Sequence, residues 1–101
     1  MNFKQLKSDD VVKTLAQKRQ IIKSFGVHSL ALFGSVASDR ATVESDLDFL
    51  VEFKGAATFD GYMGLKFFLE DLFKVPVDLV TRRSLKPEIS QQVLKEAIYV
   101  T

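Results

Sequence analysis

Apolar residues in the first quarter of the chain recur at helical spacing and predict an amphipathic helix. The residues on the apolar face are Val11, Val12, Leu15, Ile22 and Phe25. Ser8 is the predicted N-cap, and Gly26 is the predicted C-terminal stop. The polar residues between Leu15 and Ile22 interrupt the stripe, so we expect a helix that lies on the surface of the domain.

Short apolar runs bounded by turn residues predict three strands further along the chain. They are Val27–Phe33, residues 46–53 and Val77–Thr81. Between the second and third strands, Thr58 is the predicted cap of a long helix that reaches about Phe73. The buried stripe of this helix is predicted to consist of Leu65, Phe68, Leu69 and Leu72.

A last helix is predicted to begin at Ser84 or just before Pro87, and apolar residues 98–100 predict a final strand or a packed tail. The order helix, strand, strand, helix, strand, helix is typical of an α/β (α+β) domain. We expect a small mixed β-sheet with helices packed mainly on one face. A length of 101 residues predicts a single domain over residues 1–101.

Composition narrows the chemistry open to such a domain. The chain has no cysteine and one histidine, His28, which excludes disulfides, thiolate zinc, a cysteine nucleophile and a histidine metal cluster. Fourteen Lys and Arg oppose thirteen Asp and Glu, so we expect no direct nucleic-acid partner. No apolar run approaches the ~20 residues that span a bilayer. The charged N-terminus lacks a signal core, which predicts a cytoplasmic protein without a membrane partner.

Three aspartates stand in or beside the predicted strands. Asp46 and Asp48 are two residues apart at the start of the second strand, so their side chains project from the same face. Asp78 lies in the apolar third strand, where an unpaired carboxylate is costly to bury. If these strands are neighbours, the carboxylates converge, and such oxygen ligands suit Mg²⁺ or Mn²⁺. A two-ion site of this kind serves in-line phosphoryl displacement.

Gly34 and Ser35 end the first predicted strand and offer a cradle for phosphate. Glycine lets the backbone approach closely, and the amides of a following helical turn would point at the anion. Each feature alone is common, because glycine-serine pairs occur in many loops and acidic residues often protect edge strands. The order of these features along the chain favours a phosphoryl-transfer site.

The segment GSVASDRATVESDLDFLV resembles the nucleotidyltransferase signature of the DNA polymerase beta superfamily. The matching residues are Gly34, Ser35, Ala37, Ser45, Asp46, Asp48 and Val51. Asp78 matches the third carboxylate of that superfamily. The short chain is similar to the minimal nucleotidyltransferase (MNT) group, and the resemblance implies the polymerase beta-like nucleotidyltransferase fold.

The resemblance also implies a reaction. Asp46 and Asp48 would bind two Mg²⁺ ions, and Asp78 would complete the second metal site and help to activate the acceptor. The residues expected to bind the triphosphate of ATP are Gly34, Ser35 and Ser45. AMP would pass to an acceptor hydroxyl, and pyrophosphate would leave. MNT proteins are commonly antitoxins that adenylylate a tyrosine of a HEPN-domain ribonuclease toxin, which is therefore the expected partner.

Two residues depart from the signature. Ser38 and Asp39 stand where the family usually has Arg and Gly, which removes a cationic contact and adds a negative charge. Arg40 follows them and is a further candidate for nucleotide binding. Besides a weakened protein adenylyltransferase, two alternatives stay open: an antitoxin that acts by binding alone, and a small-molecule nucleotidyltransferase of the aminoglycoside-modifying kind.

A few residues outside the signature also have predicted positions. His28 is expected to be a partly buried structural residue. Arg82 and Arg83 follow the third strand, so we expect them near Asp78. Their side chains would contact either phosphate or the partner protein, or they would be exposed to solvent. Phe67 and Phe68 are adjacent and cannot both face inward on one helix, so one of them is a candidate interface residue.

Overall fold

The computed structural model describes residues 7–34, 46–56, 58–85 and 87–101. Six residues that the sequence singles out lie outside the described residues. They are Ser35, Ala37, Ser38, Asp39, Arg40 and Ser45. Of the predicted site, the structure therefore describes Gly34 and the three aspartates.

The described residues contain four α-helices and four strands, and each predicted strand is present. The helices are α1 (Ser8–Gln17), α2 (Arg19–Ser24), α3 (Phe59–Phe73) and α4 (Pro87–Glu96). The strands are β1 (Val27–Phe33), β2 (Leu47–Phe53), β3 (Val77–Thr81) and β4 (Ile98–Tyr99). A single 3-10 turn, Arg82–Ser84, follows β3.

The four strands form one mixed sheet in the order β3-β2-β1-β4. β1 pairs antiparallel with β2 and with β4, whereas β2 and β3 run parallel. The long helix α3 makes the crossover that a parallel pair requires. This arrangement confirms the predicted mixed sheet, and it makes β3 an edge strand next to β2.

Three helices pack on one face of the sheet and the fourth packs on the other. On the first face, buried residues of α1, α2 and α3 join the strands in one core cluster. These helix residues are Val11, Leu15, Ile22, Leu65 and Leu69. On the second face, Val93 of α4 packs with Ala31 and Leu50 in a smaller cluster. Helices packed mainly on one face were predicted, and α4 is the exception.

The first helix differs from its prediction at two points. It breaks at Lys18, whose N–H bonds the carbonyl of Leu15 three residues back, so two helices replace the single one expected. Ser8 is the first helical residue rather than the N-cap; that position belongs to Lys7, which makes no side-chain cap bond. Gly26 ends α2 with a φ of +86°, as its predicted role as a stop requires.

Helix α3 begins and packs as predicted. The Thr58 hydroxyl accepts a hydrogen bond from the Gly61 amide at 3.0 Å, which caps the helix. Phe68 packs against Phe25 with ring centroids 5.8 Å apart, while Phe67 is 58% exposed. The prediction that one of the two adjacent phenylalanines faces outward is therefore confirmed.

Candidate active site

The three aspartates lie at the same end of two adjacent strands. Asp48 pairs in register with Asp78 across the parallel β2–β3 ladder. Neighbouring strands are about 4.8 Å apart, so these two side chains project side by side from one face. Asp46 directly precedes β2, two residues before Asp48. The topology therefore brings the predicted carboxylates to one edge of the sheet.

These carboxylates project from the face of the sheet that carries α4. Leu50, two residues after Asp48, belongs to the small cluster on that face. Phe33 pairs with Asp48 across the β1–β2 ladder and packs against the same cluster. Asp48 is half-buried as a result, while Asp46 and Asp78 are exposed.

Gly34 lies directly against the side chain of Asp48. Its φ is +79°, a conformation that side chains other than glycine rarely adopt. A Cβ atom at this position would overlap the Oδ2 atom of Asp48. Glycine therefore allows the end of β1 to lie against the Asp48 carboxylate, at the point where the sequence predicts a phosphate cradle.

The electrostatics of the site centre on Asp48. Burial, and after it the negative charges of Asp78 and Asp46, together raise the pKa of its carboxyl from 3.8 to about 6. Among the described residues, no Lys or Arg side chain forms an ion pair with the three aspartates. The site thus gathers negative charge and would favour a cation.

The chemistry of these donors fits a divalent cation. Carboxylate oxygens are the ligands that Mg²⁺ takes in proteins, and a cation would offset the burial and the repulsion that together raise the pKa of Asp48. Within the described part of the chain, however, no three acidic or histidine side chains close around a single point that could hold a metal ion. Because Mg²⁺ usually binds through one or two carboxylates together with substrate phosphates and water, an open set of this kind suits it.

The structure differs from the predicted positions of two residues outside the signature. Arg82 is at the far end of β3, about 13 Å along the strand from Asp78, and its Nη1 atom pairs with Oε2 of Glu52 at 3.3 Å. His28 is exposed rather than partly buried, and it bulges from β1 at the end of the strand opposite Phe33. The side chain of Arg83 lies outside the described residues.

Two residues near the site were missed by reasoning from the sequence. Tyr62 and Glu70 of α3 form hydrogen bonds with the backbone of β3 on either side of Asp78. The available signal was weak, because it consisted only of two polar residues two helical turns apart, in a helix that contains other charged residues.

No helix among the described residues has both the length and the apolar character to cross a membrane.

Comparison with known proteins decides the family. The model of the nucleotidyltransferase domain family matches residues 10–100. The chain belongs to this family. It is 38% identical over 85 residues to the protein adenylyltransferase MntA of Thermococcus cleftensis, with 84% of this chain and 86% of the relative covered. The predicted class of enzyme, a nucleotidyltransferase, is confirmed.

Solved structures give the same result for the fold of this nucleotidyltransferase. A structure provisionally described as a minimal nucleotidyltransferase is 41% identical, has a TM-score of 0.71, and covers 86% of this chain and 93% of its own. The prediction of the MNT group and its fold is therefore confirmed.

More distant structures share the fold alone. A toxin-antitoxin crystal structure with AMP-PNP is 22% identical, with a TM-score of 0.68 over 85% of this chain and 72% of that chain. The complex of a tri-AMPylated Shewanella oneidensis HEPN toxin with MNT antitoxin is 20% identical, with a TM-score of 0.63 over 89% of this chain and 71% of that chain.

Proposed function

We propose that this nucleotidyltransferase moves AMP from ATP, with Mg²⁺ bound, to a tyrosine hydroxyl of a HEPN-domain toxin and thereby neutralises it. Residues 1–101 would act as one catalytic domain in the cytoplasm. The observation that carries this proposal is the in-register pair Asp48–Asp78, with Asp46 and Gly34 beside it. The name of the Thermococcus relative and the AMPylated toxin in a structural neighbour support the choice of acceptor.

The residues of the site would have two roles, which are binding of the cations and binding of the triphosphate. Bound Mg²⁺ would neutralise phosphate charge and orient the phosphate oxygens. Asp46 and Asp48 would hold the cations, and Asp78 would complete the second metal site. The loop after β1 would bind the triphosphate. Its candidate residues are Gly34, Ser35, Arg40 and Ser45.

The transfer itself is a single displacement at phosphorus. A bond forms between the acceptor oxygen and the α-phosphorus, the bond from the α-phosphorus to the bridging oxygen breaks, and pyrophosphate leaves. Asp78 is exposed on the strand next to Asp48, where an acceptor group carried by another protein can reach it. Its carboxylate would accept the hydroxyl proton and pass it to water.

A labelling experiment tests this function. The chain is incubated with Mg²⁺, ATP labelled at the α-phosphate, and the HEPN-domain toxin of the same genome. We expect label on the toxin with the wild-type chain and none with the double variant Asp46→Asn/Asp48→Asn. Asp71→Asn is the matched control and should transfer normally, because Asp71 is an exposed carboxylate that pairs with Lys74 just after the end of its helix.

The same variants separate the alternatives. If the protein acts by binding alone, as the Ser38-Asp39 departure could imply, the double variant would still bind the toxin and rescue cells that express it. If the acceptor is a small molecule, wild-type chain would leave the toxin unlabelled. Either result would overturn the proposed reaction.

A further inference from the structure

Strand β3, which carries Asp78, is an edge strand, because β2 is the only strand beside it among the described residues. Backbone groups of successive residues in a strand point alternately to its two edges. The Pro76 carbonyl accepts a hydrogen bond from the Leu47 amide at 3.1 Å, so the inner edge of β3 faces β2. Val77 and Leu79, which flank Asp78, therefore direct their backbone groups to the outer edge.

Helix α3 supplies polar partners for this outer edge. Oε2 of Glu70 accepts a hydrogen bond from the Val77 amide at 3.0 Å. The Tyr62 hydroxyl donates a hydrogen bond to the Leu79 carbonyl oxygen. Both side chains are half-buried, and together they contact the backbone immediately before and immediately after Asp78.

We infer that Glu70 and Tyr62 are positioning residues that hold Asp78 opposite Asp48. A one-residue slip of a strand turns its side chains to the other face, and β3 has only five residues with which to fix its register. The contacts from α3 hold the Val77 N–H and the Leu79 carbonyl, which belong to the two residues that flank Asp78. This inference rests on the proposed function only in assigning cation binding to Asp78.

The bond from Val77 to Glu70 is the stronger of the two constraints. Its acceptor is a carboxylate oxygen, and hydrogen bonds to an ionised group are roughly twice as strong as neutral ones. Asp71, the next residue, provides a contrast, because its carboxylate is exposed and pairs with exposed Lys74. Two adjacent acidic residues on one helix thus differ in whether they hold the strand of the site.

Binding of Mn²⁺ to the full chain in the presence of a non-hydrolysable ATP analogue tests the inference without requiring turnover. We expect Glu70→Ala to weaken Mn²⁺ binding about 10-fold, the usual cost of losing a group that orients a metal ligand. Glu70→Gln should stay within about twofold of wild type, because its amide oxygen can accept the same N–H. Asp71→Ala should bind as wild type does.

Tyr62→Phe keeps the ring and removes the hydroxyl, so it tests the second contact in a chain that retains its packing. We expect weaker Mn²⁺ binding and faster hydrogen exchange of the β3 amides. If Glu70→Ala fails to fold, Tyr62→Phe and Glu70→Gln are sufficient to test whether the contacts from α3 position Asp78.

Several results would overturn the inference. They are wild-type Mn²⁺ affinity in both Glu70→Ala and Tyr62→Phe, an equal loss in Glu70→Ala and Asp71→Ala, or a wild-type chain that binds no Mn²⁺. A chain that binds Mn²⁺, weakens on Glu70→Ala and transfers no AMP would remove the proposed function but leave the positioning role intact.

Discussion

At the scale of single residues, the negative charge of Asp48 would help to bind a cation but lowers the stability of the folded chain. Its carboxylate is half-buried beside two other aspartates, and its pKa is raised to about 6. The folded chain therefore holds the Asp48 proton more tightly than the unfolded chain does. Without a cation, ionisation of Asp48 costs folding free energy, and the same charge is what a cation would bind.

The pH dependence of stability follows from the direction of this shift. The favourable contribution of protonated Asp48 is complete below pH 3.8 and is lost as the pH rises through about 6. Exposure to solvent reduces the effect to about 1 kcal/mol. In metal-free buffer, Asp48→Asn should therefore raise the free energy of unfolding at pH 7.5 and change it less at pH 4.5. Urea unfolding at both pH values measures this, with Asp71→Asn as the control, and a pH-independent difference would contradict the account.

Gly34 and Gly55 provide a matched pair of glycines. Both have a positive φ, +79° and +74°, but a Cβ atom at Gly55 would meet no atom within 4 Å, whereas at Gly34 it would displace the Asp48 carboxylate. Either alanine variant should lose roughly 1 kcal/mol of stability from backbone strain.

Only Gly34→Ala should also disturb the site. We expect it to bind Mn²⁺ and the ATP analogue at least about 10-fold more weakly, as for other changes that reorient a metal ligand. Titration calorimetry on both variants gives the comparison. Equal binding by Gly34→Ala and Gly55→Ala would show that the close approach to Asp48 is unimportant.

At the scale of elements, local sequence patterns predicted the helices and strands well. Apolar runs located β1, β2 and β3, and Thr58 correctly marked the start of α3. The break at Lys18 was missed, because Leu15 and Ile22, on either side of it, are seven residues apart and fit one face of a single helix. Periodicity reports which face is buried, and it does not report where the backbone leaves the helix.

The packing of α3 against the end of α2 depends on the absence of a side chain at Gly61. A Cβ atom at Gly61 would lie 2.9 Å from the Phe25 carbonyl oxygen, a backbone atom that cannot rotate away. Alanine is worth up to ~1 kcal/mol more than glycine in a helix, but overpacking of this kind costs about 1–3 kcal/mol. Gly61→Ala should therefore lower the free energy of unfolding in urea.

Gly64→Ala is the matched variant for this prediction. Its Cβ atom would meet only the Phe25 ring, at 3.0 Å from Cε1, and a ring can shift. The loss of stability should be smaller than that of Gly61→Ala. A Gly61→Ala chain at least as stable as wild type would refute the proposed close contact.

At the scale of the whole molecule, the site depends on topology that the sequence pattern leaves open. The spacing of Asp46 and Asp48 predicts a shared face, but only the parallel pairing of β2 with β3 brings Asp78 to them. Arg82 is close to Asp78 in sequence but lies away from the site, where it pairs with Glu52. The contacts of Tyr62 and Glu70 with β3 likewise follow from how α3 lies along the edge of the sheet.

The two faces of the sheet have different roles in this account. The larger core, beneath α1, α2 and α3, holds the strands in place. The face with the smaller cluster, beneath α4, carries half-buried Asp48 and exposed Asp46 and Asp78 at the start of β2 and β3. On the proposed function, these 101 residues would carry the metal and nucleotide site, and another protein would bring the acceptor.

The central claim is that these aspartates hold the cations of the reaction. A crystal of the chain with Mn²⁺ and a non-hydrolysable ATP analogue, measured at a wavelength where manganese scatters anomalously, tests it most directly. We predict an anomalous peak at about 2.1 Å from carboxylate oxygens of Asp46 and Asp48, with Asp78 completing a second ion site. A nucleotide-bound crystal whose manganese lies away from these three side chains would contradict the account.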